Sequence, residues 1–363
     1  MQVVFRADAS LTAGTGHVMR CLSLASALRE RYAAVHFICR EQKGHLCDLI
    51  EERGFPVSRL PALEATAQAE GTPAHAAWLG TSWQEDAERS RAAIETSGTK
   101  PDWLVVDHYA LDQRWEGALR ALIGRIMVID DLADRHHDCD LLLDQNFDNP
   151  LHHRYSQLVP NGAKQLLGSP YAMVRPEFLE HREAALSRRD GQVRRLLVSM
   201  GGVDPENDTA KVLAGLAMVT RNAVAIDVVI GKSSPHQQEI RKLCDCIPMA
   251  KLHIQTPHMA ELMTLADLAI NGGGSTTWER CVLGLPAIVA IQSDNQAAIA
   301  QAIHRIGGHQ VLGRAGDLTA EDYHRAVDIL TLDALIQMSK VSASLCDGNG
   351  ANRVADELTN WNC

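Results

Sequence analysis

Short apolar runs alternate with amphipathic segments along most of the chain. Val3-Val4-Phe5 predicts a first strand. From about His17 to Tyr32, Val18, Cys21, Leu22, Ala25 and Leu28 then recur at the i, i+3, i+4 spacing of a helix. Val35 to Cys39 predicts the next strand. Trp103–Asp107 and Ile126–Asp130 are near-continuous apolar runs closed by an acid, as expected of parallel strands buried on both faces. The pattern lapses from about Asn149 to Gln192, a stretch holding Pro150, Pro160, Pro170 and Pro176. It then restarts with strands at Leu196–Met200, Ile226–Ile230, Lys251–Ile254, Leu268–Ile270 and Ala287–Ile291, and from about Leu318 reads mainly helical. Two βα series in tandem predict an α/β protein of two Rossmann-like domains with a cleft between them. The expected division is 1–150, a connecting segment 151–192, a second domain 193–345 and a helical tail 346–363.

In open parallel sheets ligands sit beyond the carboxyl ends of strands, so the strand-to-helix loops are where chemistry is expected. The first loop runs from Arg6 to Arg20 and carries Asp8, Ser10, Gly14, Gly16 and His17. Gly14 and Gly16 allow close backbone approach and φ values that other residues avoid. The third glycine of a GxGxxG fingerprint is missing and Asp48 is a weak match for its ribose acid, which argues against a dinucleotide. His17 stands at a helix start, a setting that favours the neutral imidazole a general base needs. A capping or packing role is the plain alternative. Asp107-His108-Tyr109 ends one strand and could face the same site, although Asp107 could equally cap the turn; Asp130-Asp131 is as ambiguous. His136-His137-Asp138-Cys139-Asp140 lacks ligand spacing and reads as a polar turn.

In the second series, Met200-Gly201-Gly202-Val203-Asp204 and Asn271-Gly272-Gly273-Gly274-Ser275-Thr276-Thr277-Trp278-Glu279 each follow a strand. Their backbone N–H groups suit an anion at a helix start, and Ser275 and Thr276 add hydroxyls. Glu279 could accept from two ribose hydroxyls or merely complement the helix dipole. No GxxxxGK[ST] occurs. Asn295 and Gln296 offer side-chain amides suited to sugar hydroxyl or acetamido groups.

With 363 residues there is length for about two domains. A formal net charge of −10 with dispersed Lys and Arg disfavours nucleic acid as a partner. Nine cysteines, none in a CxxC pair, are expected as reduced thiols. The opening MQVVFRADAS is not a signal-peptide pattern, and no apolar run approaches a membrane span. A cytoplasmic protein without membrane partners is expected; oligomeric state is not readable.

RADAS…GTGHVMRC, VVDHY, ADRHHDCDLLLDQN, SMGGVD, NGGGSTTWE and SDNQ, in this order, resemble UDP-2,4-diacetamido-2,4,6-trideoxy-β-L-altropyranose hydrolases of pseudaminic acid synthesis. The resemblance runs from Met1 to about Gly313 and includes DGNGANRVADEL near the end. It implies a fold similar to GT-B glycosyltransferases, with the nucleotide on the second domain. It also implies no cofactor and no metal, a small-molecule UDP-sugar as substrate, and direct attack of water on the sugar C1–O bond. The family's catalytic histidine falls on His17. Its sugar-contacting amides fall on Asn295 and Gln296; the kinship puts the acceptor side on the first domain, where the loop residues Arg6, Asp8, Gly14, Gly16, Arg20, Asp107, His108 and Tyr109 are the expected substrate contacts. Its diphosphate loops fall on Gly201, Gly202, Gly274, Ser275 and Thr276, and its ribose acid on Glu279. A longer mid-region, Ala62 to Gly98, and a longer C-terminal tail depart from the family and carry no assigned site. A GT-B glycosyltransferase and a non-catalytic UDP-sugar-binding protein remain the competing expectations.

Overall fold

A computed structural model describes residues 1–63, 73–96, 98, 100–146, 153–218, 224–274 and 276–361. The chain forms two compact units, one of Met1–Arg175 with Asn349–Cys363, the other of Pro176–Gly348. The first unit is built on seven parallel strands: β1 Gln2–Ala7, β2 Ala34–Arg40, β3 Val57–Leu60, β4 Trp103–Asp107, β5 Arg125–Ile129, β6 Leu141–Asp144 and β7 Lys164–Leu167, in the order β3-β2-β1-β4-β5-β6-β7. The second unit holds β8 Arg195–Ser199, β9 Ala225–Ile230, β10 Ala250–Ile254, β11 Leu268–Gly272, β12 Ala287–Ile291 and β13 Gln310–Arg314, in the order β10-β9-β8-β11-β12-β13. Both are the doubly wound parallel sheets expected from the repeated apolar runs.

Side-chain alternation sorts each strand of the first sheet between two cores. Phe5, Phe37, Trp103, Val105, Met127 and Leu143 face one core, which the helix Gly16–Glu30 covers with Val18, Cys21, Ala25 and Leu28. Val4, Ile38, Leu104, Val106 and Val128 face the other. There the mid-region supplies cover: Leu79, and Ala87 and Ile94 of the helix Trp83–Thr96, pack with Trp115. Phe5 and Phe37 pair in register across β1 and β2, with ring centres 4.9 Å apart. Truncating either to alanine would cost about 3–5 kcal/mol.

The expected boundaries shift in two places. Lys164–Leu167, expected within a connecting segment, is the seventh strand, paired from Leu141↔Lys164 to Asp144↔Leu167. The helix Gly350–Thr359 packs into the first unit's core through Val354, Ala355 and Leu358. Arg31 grips Asp356 at 2.7 Å, and Trp103 Nε1 donates to the Leu358 carbonyl at 3.2 Å. Among the described residues, no single helix is long and apolar enough to cross a membrane.

Topology directs attention to one edge of each sheet. β1 pairs with β2 on one side and β4 on the other, and β8 likewise separates β9 from β11. The chain reverses its winding there, so the loops beyond β1 and β4, and beyond β8 and β11, flank open crevices.

Candidate active site

The loop after β1 closes on itself before the helix begins. Ser10 and Gly14 exchange two backbone hydrogen bonds, at 2.9 and 3.2 Å, and Ser10 Oγ accepts from the N–H groups of Thr12 and Ala13. Gly14 has φ +75°, a backbone conformation that favours glycine. Gly16, expected to share that need, has no positive φ and simply opens the helix Gly16–Glu30. His17 therefore sits in the first helical turn, beside the end of β4, where Ala7 is in register with Asp107.

His17 Nδ1 lies 2.6 Å from Asp107 Oδ1. Burial opposes ionisation of Asp107, but Arg20 and His17 outweigh it and hold the carboxyl well below the usual range. Two acceptors do not meet at 2.6 Å, so with Asp107 ionised a proton is on Nδ1, and in the neutral ring the lone pair is then on Nε2. Among the described residues Nε2 has no protein partner. Arg20 fixes the carboxylate through Nε to Oδ2 at 2.6 Å and Nη2 to Oδ1 at 2.7 Å, and reaches Asp131 Oδ2 at 2.9 Å. The Tyr109 hydroxyl donates to the other Asp131 oxygen, and its ring meets His17 edge to face, centres 4.5 Å apart. Burial and the Asp131 charge push the Tyr109 phenol well up, so it remains a donor. Farther along the same sheet end, burial and Asp131 raise the Asp144 carboxyl to about 7, against hydrogen bonds from Asn146 and Arg154.

Arg6 and Asp8, expected at the substrate, lie beneath this constellation. Both are at most 1% exposed. Arg6 pairs with Asp8 at 2.6 and 2.9 Å and with Asp86 at 2.7 and 3.1 Å; Arg40 also reaches Asp86, at 2.6 Å. Trp115 Nε1 donates to Asp86 at 3.0 Å, and Asp8 accepts the Arg40 backbone N–H at 2.7 Å. Arg6 shares its face of β1 with Val4, which enters the second core, and is fully buried there, so its charge needs these partners. They brace the loop and leave no guanidinium edge for a ligand. His108 is buried too, its Nε2 3.4 Å from Asp8 and its Nδ1 accepting from Ala110 N–H at 3.1 Å. Thus His17, Arg20, Asp107 and Tyr109 come together, while Arg6, Asp8 and His108 support from below.

Three residues of weight here had no such role in the sequence reading. Asp131 stood among ambiguous acids. Asp86 lies in the mid-region thought to bear no site. His137, in the expected polar turn, is buried with Nδ1 2.7 Å from Glu116. Burial would lower its pKa, but Glu116 and Asp130 raise it to about 9. Asp86 had no local signal; it is identified only by its partners. Among the described residues no group of three or more His, Cys, Asp or Glu side chains is arranged to hold a metal.

In the second unit, Gly201 follows β8 with φ +102°, and Gly202 accepts from Gly231 N–H at 2.9 Å. The helix Asp208–Ala217 is already capped by Asp204, which accepts from the N–H groups of Asp208 and Thr209 at 2.9 and 3.0 Å. An anion here would meet loop amides rather than that helix start. Gly272 closes β11, and a Cβ there would lie 2.2 Å from Gln292 Oε1, so any larger residue would displace that side chain. Gln292 Nε2 donates to the Met200 carbonyl at 2.5 Å, joining the ends of β8 and β12. Gln296, expected on the sugar, has its Oε1 engaged by the N–H groups of Gly273 and Gln292, both at 3.2 Å; its Nε2 is the end left for a ligand. Asn295 is exposed and accepts from Ser293. Thr276 opens the short helix Thr276–Val282 beside Gly274, and Glu279 lies half-buried in its first turn. Asn271, at the end of β11, is buried with both amide atoms unpaired. Ser275 lies outside the described residues.

No protein-family model matches the chain. It is similar to an uncharacterised protein of Methanocaldococcus jannaschii, 25% identical over 82% of this chain and 57% of that protein. The spore coat polysaccharide biosynthesis protein SpsG of Bacillus subtilis is 32% identical over 52% of the chain and 56% of its own length. The matches thus span less than two thirds of these two relatives. The UDP-2,4-diacetamido-2,4,6-trideoxy-beta-L-altropyranose hydrolase of Campylobacter jejuni is 26% identical over 78% of the chain and 89% of its own length, which bears out the resemblance seen in the motifs. Among solved structures, Acinetobacter baumannii MurG superposes with TM-score 0.69 at 15% identity, covering 99% of both chains. The calicheamicin glycosyltransferase CalG4 superposes with TM-score 0.62 at 16% identity, covering 99% of this chain and 98% of its own. The fold is that of GT-B proteins, two Rossmann-like domains, as expected.

Proposed function

We propose that this chain is a UDP-sugar hydrolase that breaks the sugar C1–O bond of a UDP-linked 2,4-diacetamido-2,4,6-trideoxyhexose, releasing UDP and the free sugar. The observation that carries this reading is the His17–Asp107 pair: Nδ1 is held at 2.6 Å by a carboxylate that Arg20 pins, which leaves Nε2 to carry the lone pair of the neutral ring. That is the arrangement of a general base. Water gives a proton to His17 Nε2 as its oxygen bonds to C1, while the C1–O bond breaks and its electron pair leaves with UDP. The loops after β8 and β11, with Gly201, Gly202, Gly274 and Thr276, are the proposed hold on the diphosphate. There fixed amides stabilise the charge that develops on the leaving group. Glu279 is the proposed ribose partner. The sequence similarity to the Campylobacter jejuni hydrolase supports the substrate class.

The second reading, glycosyl transfer to a hydroxyl acceptor, is favoured by the glycosyltransferases that share the fold. One experiment separates the two. Incubation with the UDP-sugar in ¹⁸O-labelled water, without acceptor, should yield free sugar carrying the label and unlabelled UDP. Label in UDP would mean attack at phosphorus and overturn the mechanism. Release of UDP only on adding an acceptor, with the sugar bonded to the acceptor oxygen, would favour transfer.

A further inference from the structure

The mid-region bears more than a fold-supporting role. Its one-turn helix Ala76–Leu79 is anchored on both sides. Leu79 enters the core, Gln42 Nε2 donates to the Trp78 carbonyl at 2.7 Å, and Gly80 ends the turn with φ +71°. Three residues after Gly80, the helix Trp83–Thr96 begins, bolted to β1 and β2 through Asp86. This rigid footing presents two aromatic rings to Tyr109. The His75 ring centre lies 5.4 Å from that of Tyr109, the Trp78 ring centre 5.7 Å, and the two are 4.4 Å from each other. The same Tyr109 ring meets the His17 ring, centres 4.5 Å apart. His75 and Trp78 are both half-buried, and among the described residues Trp78 is not part of either core of this unit. Among the described residues neither the His75 ring nitrogens nor Trp78 Nε1 has a protein partner.

Half-buried aromatic faces with unengaged polar edges, packed on a tyrosine that itself meets the candidate base, are what a ligand with adjoining apolar and polar groups needs. An N-acyl group is such a ligand: its methyl suits the ring faces and its amide suits an N–H or ring nitrogen. We propose that His75 and Trp78, with Tyr109, form the wall that selects an N-acylamino sugar at this site. The proposal rests on the hydrolase reading for its substrate but not for its geometry. His75 and Trp78 are specificity-determining residues; neither takes part in proton transfer.

The test uses the full chain with UDP-sugars that carry or lack acetamido groups. Trp78→Ala should raise KM for the acetamido substrate about tenfold and erode its preference over the deacylated one. Inhibition by UDP and the pH profile of kcat should be unmoved, and Trp78→Phe should restore most of the loss. His75→Ala should act in the same direction. A folded Trp78→Ala protein with unchanged KM and unchanged preference overturns the proposal while leaving the hydrolase reading intact. Should the wild type fail to hydrolyse the substrate, that reading falls, and the wall is read by binding instead. Saturation-transfer NMR on a His17→Asn background should then show the acetyl methyl protons strongly saturated, and several-fold less so when Trp78→Ala is added, with uridine protons unaffected. Equal methyl saturation in both proteins, or no sugar saturation in either, overturns the proposal.

Discussion

The sharpest test of the base assignment is Asp107→Asn. Three short bonds meet this carboxylate, from His17 at 2.6 Å and from Arg20 at 2.6 and 2.7 Å. An amide keeps the shape but offers one acceptor and one donor end. With its oxygen toward His17, its NH₂ opposes Arg20 Nε, donor against donor. Turned round, it faces Nδ1 with a donor, so the ring must move its proton to Nε2 and the base is lost. Each charge-assisted hydrogen bond lost is worth about 1.5–3 kcal/mol, roughly 10- to 150-fold in rate if it acts in the transition state. Loss of the correct tautomer in a carboxylate–histidine pair costs about 10⁴-fold. The expected fall in kcat is therefore about 10²–10⁴-fold. Release of UDP at saturating substrate measures it, and ¹⁵N NMR of the His17 ring reports which nitrogen carries the proton. UDP affinity, assigned to the other unit, should stay unchanged. A folded variant with kcat within about threefold of wild type would refute the orienting role of Asp107.

Other consequences can be checked with ordinary means. His17→Asn should lower turnover by about 10²–10⁴-fold with UDP affinity by calorimetry unchanged, and near-normal turnover would end its assignment as base. Asp86→Ala leaves Arg6 and Arg40 buried without their shared carboxylate and should destabilise the first unit by about 3–5 kcal/mol in urea unfolding; a loss under about 1 kcal/mol would show the network is dispensable. The His137 imidazolium is held up to about 9, above the roughly 6.5 of an unfolded chain, so its stabilisation is fully present below pH 6.5 and is lost as pH rises through 9. That amounts to about 3 kcal/mol at most. His137→Gln should flatten the decline in stability between pH 7 and 9.5, and an unchanged slope would discard the linkage.

Much of the fold was written in local pattern. Central parallel strands are buried on both faces, so Trp103–Val106 and Ala287–Ile291 read as unbroken apolar runs whatever their neighbours. The helix Gly16–Glu30 buries every position that its spacing marks as apolar. β3, β7 and β13 are edge strands of mostly partial cover, so VSRL, KQLL and QVLGR carry no strand signal of their own, and the fully buried β6 is only four residues long, too short a run to stand out from the polar turn before it. The glycine loops and His17 stood out because turns and helix starts demand particular residues over a few positions.

What the sequence could not apportion was the work of its charged residues. Arg6, Asp8 and Asp107 all stand near strand ends, and all three were expected on the substrate. Their roles diverge because Arg6 meets Asp86, 80 residues away, and Asp107 meets His17, 90 residues away. A hydrogen bond or ion pair is decided within a few tenths of an ångström, and no local periodicity encodes a distance between residues so far apart in the chain. By itself, then, the sequence determined the two sheets, their loops and the histidine at the first helix start, through burial and backbone preference. Tertiary structure alone decided which acid orients that histidine, which ions lie buried beneath it, and that the mid-region brings His75 and Trp78 against Tyr109, because those are matters of contact across the fold.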